Sequence, residues 1–162
     1  MTSTDPKTDP KIELKLDALG LVLPTPKPAL ANYLPYVISG NMLHISGQGP
    51  VTAAGNPIKG QLGDTLDIAE GARAAELAGL NIVAQVKQAV EDDWSRVQRC
   101  VRLNGFVNAR PDFTHHPAVI NGASDLMVEL FGDAGRHSRI AVGVASLPMN
   151  WAVEIDALFQ IR

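Results

Sequence analysis

Two short apolar runs separated by a glycine and an asparagine form the first clear pattern in the chain. Residues 36–39 and 42–46 are rich in residues that favour β-strands, and Gly40-Asn41 between them suits a two-residue turn. This arrangement predicts a β-hairpin. A loop rich in glycine and other turn-forming residues follows over residues 51–64.

A long amphipathic helix is predicted after this loop. Apolar residues recur in steps of three and four from Ile68 to Val90, which places them on one helical face. We expect Asp64 or Thr65 to cap its N-terminus. Alanine and glycine line the first half of the helix, and because small residues allow close approach, we expect it to pack across a sheet.

The second half of the chain predicts three more strands and one more helix. Gly132 is a typical residue at a helix end, and the sequence LPMNW forms a turn between the last two strands. The predicted ranges are a strand at 97–109, a helix at 117–131, and strands at 139–145 and 152–160.

This order of elements favours an α+β fold, in which a mixed sheet carries two helices on one face. No further helix is left to cover the other sheet face, which is therefore either polar or buried by other subunits. The strand at 97–109 has apolar residues at both odd and even positions. That pattern favours burial of both faces, and oligomerisation is the simplest way to achieve it.

The first thirty residues differ from the rest of the chain. Residues 1–10 are polar and contain proline, as in a loose tail, and residues 11–21 favour one short amphipathic turn or helix. The prolines of residues 24–28 then predict an extended connector. We therefore predict an N-terminal extension over residues 1–30, flexible in part, and one domain over residues 31–162.

Composition and charge narrow the class of protein. The chain has 162 residues, of which 46% are hydrophobic and 19% charged, as in a globular domain of ordinary size. The net charge is −3 and no basic block is present, which disfavours a nucleic-acid partner. No apolar run suits a membrane span or a signal peptide, so we expect a cytoplasmic protein without a membrane partner.

Three motifs show a resemblance to a known family. HISGQGP after the hairpin, SRIAVGVASLP, and AVEIDALF near the C-terminus resemble the RidA/YjgF family, also called the L-PSP endoribonuclease family. The resemblance covers residues 32–162. It implies a chorismate-mutase-like sandwich, assembled as a homotrimer with a barrel-like core and ligand sites between subunits. It also implies hydrolysis of reactive enamine or imine intermediates, such as 2-aminoacrylate, to a 2-keto acid and ammonia, with no cofactor and no metal.

Arg139 and Glu154 are the catalytic residues that the resemblance implies. Arg139 would bind the carboxylate of a small imine or keto-acid-like ligand, because a guanidinium is a planar, permanently charged fork. Glu154 would position and activate water, with Asp156 supporting it or purely structural. From the residues alone, another interpretation of Arg139 is an arginine at a strand end, in solvent or in a salt bridge. Glu154 and Asp156 also read as two solvated acids on one strand face.

Further substrate contacts are implied at Tyr33, Ser46, Gly47 and Asn121. Tyr33 would stack on a flat conjugated substrate, and the Ser46-Gly47 backbone would contact it. The alternatives are a packing role for the tyrosine, a bulge at the glycine and an ordinary surface position for the asparagine. His137 lies two residues before Arg139, but we assign it no role.

The chain departs from the family pattern at three points, all of which concern the substrate range. The segment before Tyr33 is longer than in compact members, and the spacing from Asn121 to Arg139 is one residue longer. Ala141 stands where several members carry cysteine.

Two other functions stay open. A non-catalytic trimer that binds small metabolites would have the same fold, because a fold does not determine a function. An endoribonuclease is less well supported, because the chain has a net charge of −3 and only 5% aromatic residues.

The order of the last two strands predicts a site shared between subunits. If these strands pair antiparallel around the turn near Met149, Arg139 and Glu154 lie about five residues apart along the sheet, or about 17 Å. A three-carbon substrate is too short to span that distance. We therefore expect Arg139 of one subunit to act with Glu154 of its neighbour.

Overall fold

The computed structural model describes residues 11–162, which form a mixed α+β fold with one five-stranded sheet. The predicted tail at residues 1–10 lies outside the described residues. The helices are α1 (Lys11–Leu19), α2 (Ile68–Ala89) and α3 (His116–Phe131). The strands are β1 (Tyr36–Ser39), β2 (Met42–Gln48), β3 (Val97–Asn108), β4 (Ser138–Val144) and β5 (Val153–Ile161). Short 3₁₀ turns occur at Trp94–Arg96, Gly132–Gly135 and Pro148–Asn150.

The sheet has the strand order β1-β2-β5-β3-β4, which confirms the mixed sheet but corrects the pairing of its last two strands. β4 and β5 are not neighbours, because β3 lies between them. The helical crossover through α3 brings β4 parallel to β3 on one side. The other edge of β3 then accepts β5 as an antiparallel partner. The expected antiparallel pair around Met149 was therefore wrong.

The predicted hairpin is confirmed, whereas the predicted cap of α2 was wrong. Gly40 has a positive φ of 60° in the turn between β1 and β2, a conformation that favours glycine. The cap of α2 is Asp67, whose carboxylate accepts a hydrogen bond from the Glu70 N–H at 2.8 Å. The Glu70 carboxylate accepts one from the Asp67 N–H at 2.9 Å, which completes a capping box. Thr65 instead accepts from the Gln61 N–H within the preceding loop.

The core lies between one face of the sheet and helices α2 and α3. Leu103 and Val107 of β3 are completely buried on this face, and Gly105 between them lies against Ile120 of α3. The two helices approach each other closely at Gly122, where a side chain would collide with the backbone carbonyl of Ala72 in α2. Two helices on one face of the sheet were therefore correctly predicted.

The described part of the N-terminal segment packs on this core. Ile12 and Leu16 of α1 are buried, and the Lys15 ammonium donates to the Leu130 carbonyl at the end of α3 (2.9 Å). Burial raises the pKa of Glu13, but hydrogen bonds from Lys87 and Trp94 outweigh this and hold the pKa below its usual value. The division into an extension at residues 1–30 and a domain at residues 31–162 stays a prediction. Among the described helices, none has both the length and the hydrophobicity to cross a membrane.

Replacing Gly122 with alanine should destabilise the fold. The new methyl group would push α3 away from the Ala72 carbonyl, and overpacking of this kind costs about 1–3 kcal/mol. Chemical denaturation should show a lower midpoint for Gly122→Ala. Glu129→Ala, at an exposed position of the same helix, is the matched control and should change the stability by less than about 0.5 kcal/mol. Equal midpoints for the two variants would contradict close packing at Gly122.

Candidate functional site

The residues predicted for the site fall into two groups, and the structure does not bring the groups together within one chain. One group lies around β2 and β5 and contains Tyr33, Ser46, Gly47 and Glu154. The other lies around β4 and α3 and contains Arg139 and Asn121.

Strand register places the two catalytic candidates on opposite faces of the sheet. Leu103 of β3 is buried beneath the helices and pairs with Arg139, so the arginine side chain lies on the helix-covered face. Phe106 of β3 pairs with Glu154. Because Phe106 is three residues from Leu103, it and Glu154 lie on the opposite, open face.

The Glu154 carboxylate lies directly against the backbone of Gly47. The register between β2 and β5 shifts between Ile45 and Gln48, and Gly47 lies within this irregular segment. A side chain at residue 47 would collide with the Glu154 carboxylate, so the position requires glycine while the carboxylate stays there. This half of the site thus depends on a glycine that the sequence motif identified.

The electrostatic surroundings of Glu154 suit a proton acceptor. Burial raises the pKa of Glu154, and the nearby Asp156 carboxylate raises it further. Asp156 is held by the Asn104 amide, which donates to it at 2.7 Å. The Asn104 amide oxygen in turn accepts from Arg102 Nε at 2.7 Å. Asp156 is therefore a fixed negative charge on the same sheet face as Glu154.

Ser46 adjoins Gly47 in β2, and Tyr33 lies in the segment just before β1. Tyr33 is 57% exposed, so its ring is accessible to a ligand. The Ser46 hydroxyl donates to the Leu34 carbonyl (2.7 Å), and the Ser46 N–H donates to the Pro35 carbonyl (3.0 Å). These bonds attach the segment before β1 to β2, so the serine side chain has a structural partner within the chain.

A cavity of about 280 Å³ adjoins this half of the site. Its lining includes Leu30, Tyr33, Gly47, Asn81, Met149 and Trp151. The Asn81 amide donates to the Val51 carbonyl (2.8 Å) and so holds the loop after β2 to helix α2. The cavity is mostly apolar, which favours a hydrophobic group next to Gly47.

Arg139 is half-buried against α3. Among the described residues, no carboxylate forms a salt bridge with its guanidinium. Its Nη1 donates to the Ser124 hydroxyl at 3.0 Å, and its Nη2 donates to the Pro117 carbonyl at 3.3 Å. Both acceptors are neutral oxygens. A guanidinium has five N–H donors, so three remain for a ligand.

Asn121 belongs to the same half of the site as Arg139. It is exposed on α3, four residues after Pro117 and three before Ser124, and these spacings place all three on one helical face. Arg139 donates to the Ser124 hydroxyl and to the Pro117 carbonyl, so Asn121 shares the helical face of both partners.

Two further residues contact this half of the site. The sequence analysis did not identify Ser124, and it assigned no role to His137. The Ser124 hydroxyl lies 3.0 Å from His137 Nε2, and His137 Nδ1 lies 2.6 Å from the Gly135 carbonyl oxygen. The spacing of three residues from Asn121 was a signal for Ser124, and the position two residues before Arg139 was a signal for His137. Contacts with a turn and a helix, however, cannot be read from strand periodicity.

The separation of Arg139 and Glu154 follows from the register. Arg139 is level with Ala157 and Glu154 with Val142, so the two are three residues and two strand spacings apart. That corresponds to about 14 Å between their Cα atoms, with the sheet between the side chains. The direct pairing of β4 with β5 behind the predicted spacing was wrong, but the two residues remain too far apart for one small substrate.

Neither a thiol nor a metal centre is indicated in the described part of the chain. Among residues 11–162, no three His, Cys, Asp or Glu side chains are grouped so that they could hold a metal ion. Cys100 is buried, and its burial raises the pKa of the thiol to about 12, which keeps it unreactive.

Comparison with known proteins identifies the family. The family model described as "YjgF/chorismate_mutase-like, putative endoribonuclease" matches residues 13–160. The chain belongs to this family. The chorismate-mutase-like fold implied by the motifs is thereby confirmed. The match also includes most of α1, which lies before the stretch in which the motifs were recognised.

Two relatives match nearly the whole chain at 47% identity. Protein TCP17 of Trypanosoma cruzi matches over 153 residues, which is 94% of this chain and 95% of that protein. The crystal structure of the Agrobacterium tumefaciens protein Atu1372, described as having unknown function, has a TM-score of 0.87 and a coverage of 94% of each chain. RidA from a Psychrobacter species shares the fold, with a TM-score of 0.58, 24% identity, and coverage of 86% of this chain and 96% of its own.

Replacing Asp156 with asparagine should lower the pKa of Glu154. Asparagine removes the negative charge that opposes ionisation of Glu154, while its amide oxygen still accepts from Asn104. Carboxyl-carbon NMR titration of the wild type and of Asp156→Asn should therefore show Glu154 ionising at lower pH in the variant. Asp125→Asn, at an exposed position on α3, is the control and should leave that titration unchanged. An unchanged Glu154 titration in Asp156→Asn would rule out the electrostatic coupling.

Proposed function

We propose that this protein hydrolyses reactive imines and enamines that carry a carboxylate, of the 2-aminoacrylate type, to 2-keto acids and ammonia. The observation that carries the proposal is that the Arg139 guanidinium has no carboxylate partner among residues 11–162. A half-buried guanidinium with free N–H donors attracts a planar anion, and a carboxylate fits its fork in a bidentate manner. The three motifs that resemble the RidA/YjgF family, to which the chain belongs, are the second support for this chemistry.

Glu154 supplies the base for this reaction. Its raised pKa strengthens it as an acceptor of the proton that water loses when it attacks the imine carbon. The resulting carbinolamine has a C–O bond to the former water oxygen. Glu154 passes the proton taken from water to the imine nitrogen, which becomes an amino group. When the carbinolamine collapses, Glu154 takes the hydroxyl proton as the C=O bond forms and gives it to the nitrogen, so that the C–N bond breaks and ammonia leaves. An enamine must first take a proton on carbon to become the imine. The residues that carry these steps require no cofactor.

We further propose a homotrimer in which each site combines groups from two subunits. The support is that one chain holds Arg139 and Glu154 on opposite sheet faces. Rotation about an oligomer axis can bring Arg139 of one subunit to Glu154 of the next. Tyr33, Ser46 and Gly47 would then belong to the Glu154 side of the site and Asn121 to the Arg139 side. A cytoplasmic location fits this activity.

The second candidate is an endoribonuclease, the activity that the description of the family names. The net charge of −3 argues against strong RNA binding. RNA binding of freshly purified protein, measured across a range of salt concentrations, separates the two activities, and the hydrolase predicts negligible binding. Absence of both activities, with retained binding of a 2-keto acid, would indicate the non-catalytic metabolite binder.

Replacing Arg139 should abolish imine hydrolysis. Arg139→Ala removes the carboxylate partner, and Arg139→Lys keeps the charge without the fork, so both should lose about 2–4 kcal/mol of transition-state stabilisation. The assay generates imines from amino acids with an oxidase or dehydratase and compares keto-acid release with and without the protein. Arg136→Lys is the matched control, since Arg136 is exposed and forms a salt bridge with Asp133. Near-normal turnover by Arg139→Lys would show that bidentate capture is not the role of this residue.

Two inactive variants should restore activity when their subunits mix. Arg139→Ala and Glu154→Gln each lack one half of the site, and the second variant keeps the shape of the side chain. In randomly mixed trimers, about a quarter of the interfaces would join an intact Arg139 to an intact Glu154. Co-refolding followed by the imine assay measures this, and each variant refolded alone is the control. Demonstrated subunit exchange without any regained activity would refute the shared site.

A further inference from the structure

The hydrogen bonds around Arg139 form one directed chain. A carbonyl oxygen only accepts hydrogen bonds, so the bond between His137 Nδ1 and the Gly135 carbonyl (2.6 Å) requires the proton on Nδ1. Burial and the charge of Arg139 lower the pKa of His137, although the Gly135 bond raises it, and the neutral ring therefore has a lone pair on Nε2.

The orientation of the Ser124 hydroxyl follows from that tautomer. Nε2 of neutral His137 accepts the Ser124 proton over 3.0 Å, which leaves the serine oxygen free to accept from Arg139 Nη1, also at 3.0 Å. Each of the three donors in this chain, namely Arg139 Nη1, the Ser124 hydroxyl and His137 Nδ1, thus has an acceptor. The chain runs in one direction from the arginine to the turn before β4.

We propose that Ser124 and His137 are positioning residues for Arg139, and that they confine a ligand carboxylate to the edge of the guanidinium that faces away from α3. On the α3 side, the Ser124 oxygen presents a lone pair and the Pro117 oxygen is a carbonyl. Both repel an anion. Three N–H groups remain, one each on Nε, Nη1 and Nη2. A carboxylate that pairs with two of them meets no competing acceptor of this network on the side away from α3. This inference rests on the proposed role of Arg139 in carboxylate binding.

The network also explains why the arginine keeps its charge available. A carboxylate at position 124 would pair with the guanidinium and would neutralise its charge. A serine hydroxyl aligned by a neutral histidine holds it with a dipole instead, and the charge remains for the ligand. The two positions therefore matter for binding rather than for proton transfer.

Binding of 2-ketobutyrate to the full-length protein, followed by calorimetry, tests the proposal without relying on turnover. Ser124→Ala should weaken binding about tenfold, as expected for a lost hydrogen bond to a charged group. Ser124→Thr, which retains the hydroxyl, and His137→Gln, whose amide oxygen can accept in place of Nε2, should restore most of the affinity. Ser138→Ala is the matched control, because that hydroxyl bonds to the Val101 carbonyl outside the network.

Steady-state kinetics should show the same pattern. Ser124→Ala should raise KM for the carboxylate-bearing imine about tenfold with little change in kcat, because uniform binding is lost. A loss in kcat with unchanged KM would overturn the positioning role. Imidazole ¹⁵N NMR should show His137 protonated on Nδ1, with an Nε2 signal that shifts in Ser124→Ala. A proton on Nε2 would overturn the direction of the chain.

The outcomes separate this inference from the proposed function. Wild-type affinity in Ser124→Ala, combined with lost binding in Arg139→Ala, would overturn the positioning role and leave the function intact. Wild-type affinity in Arg139→Ala would overturn the carboxylate site and this inference together. Binding that follows the expected order in a protein without hydrolytic activity would support the inference and refute the hydrolase.

Discussion

The pairing of β3 with two different neighbours is the constraint on which the rest of the structure depends. β3 binds β4 in parallel and β5 in antiparallel orientation, so its register determines where every residue of both strands lies. On the helix side, Gly105 makes room for Ile120, which lets α3 pack over this strand pair. Because α3 also carries Ser124 and the Pro117 carbonyl, the same packing positions the Arg139 guanidinium. A change in the register of β3 would displace both halves of the site.

The two halves of the site are incomplete in complementary ways. One holds a carboxylate, Glu154, whose pKa is raised by burial and by Asp156. The other holds a guanidinium without an acidic partner among the described residues. An internal ion pair would satisfy both groups but would remove the base and the anion receptor at once. The sheet prevents that pairing, since it separates the two side chains within one chain. The charges thus stay available for a ligand and for a neighbouring subunit.

Each half is supported by a different kind of interaction. Around Glu154, glycine at position 47 permits contact with the β2 backbone, and the bonds from Arg102 through Asn104 fix Asp156. Around Arg139, a neutral hydroxyl and imidazole hold the cation without cancelling it.

Local patterns in the sequence were sufficient for the hairpin, the long helices and the central strand, because periodicity and turn residues act over a few neighbouring positions. The family was identified from the resemblance of three motifs, and that resemblance implied Gly47, Arg139 and Glu154, whose roles stay predictions. The cap at Asp67 was missed because a loop turn uses Thr65 as an acceptor. The insertion of β3 between β4 and β5, and the contacts of Arg139 with Ser124, were decided only by the tertiary structure. They depend on which strand edge remains free after α3 crosses the sheet, and no spacing along the chain contains that information.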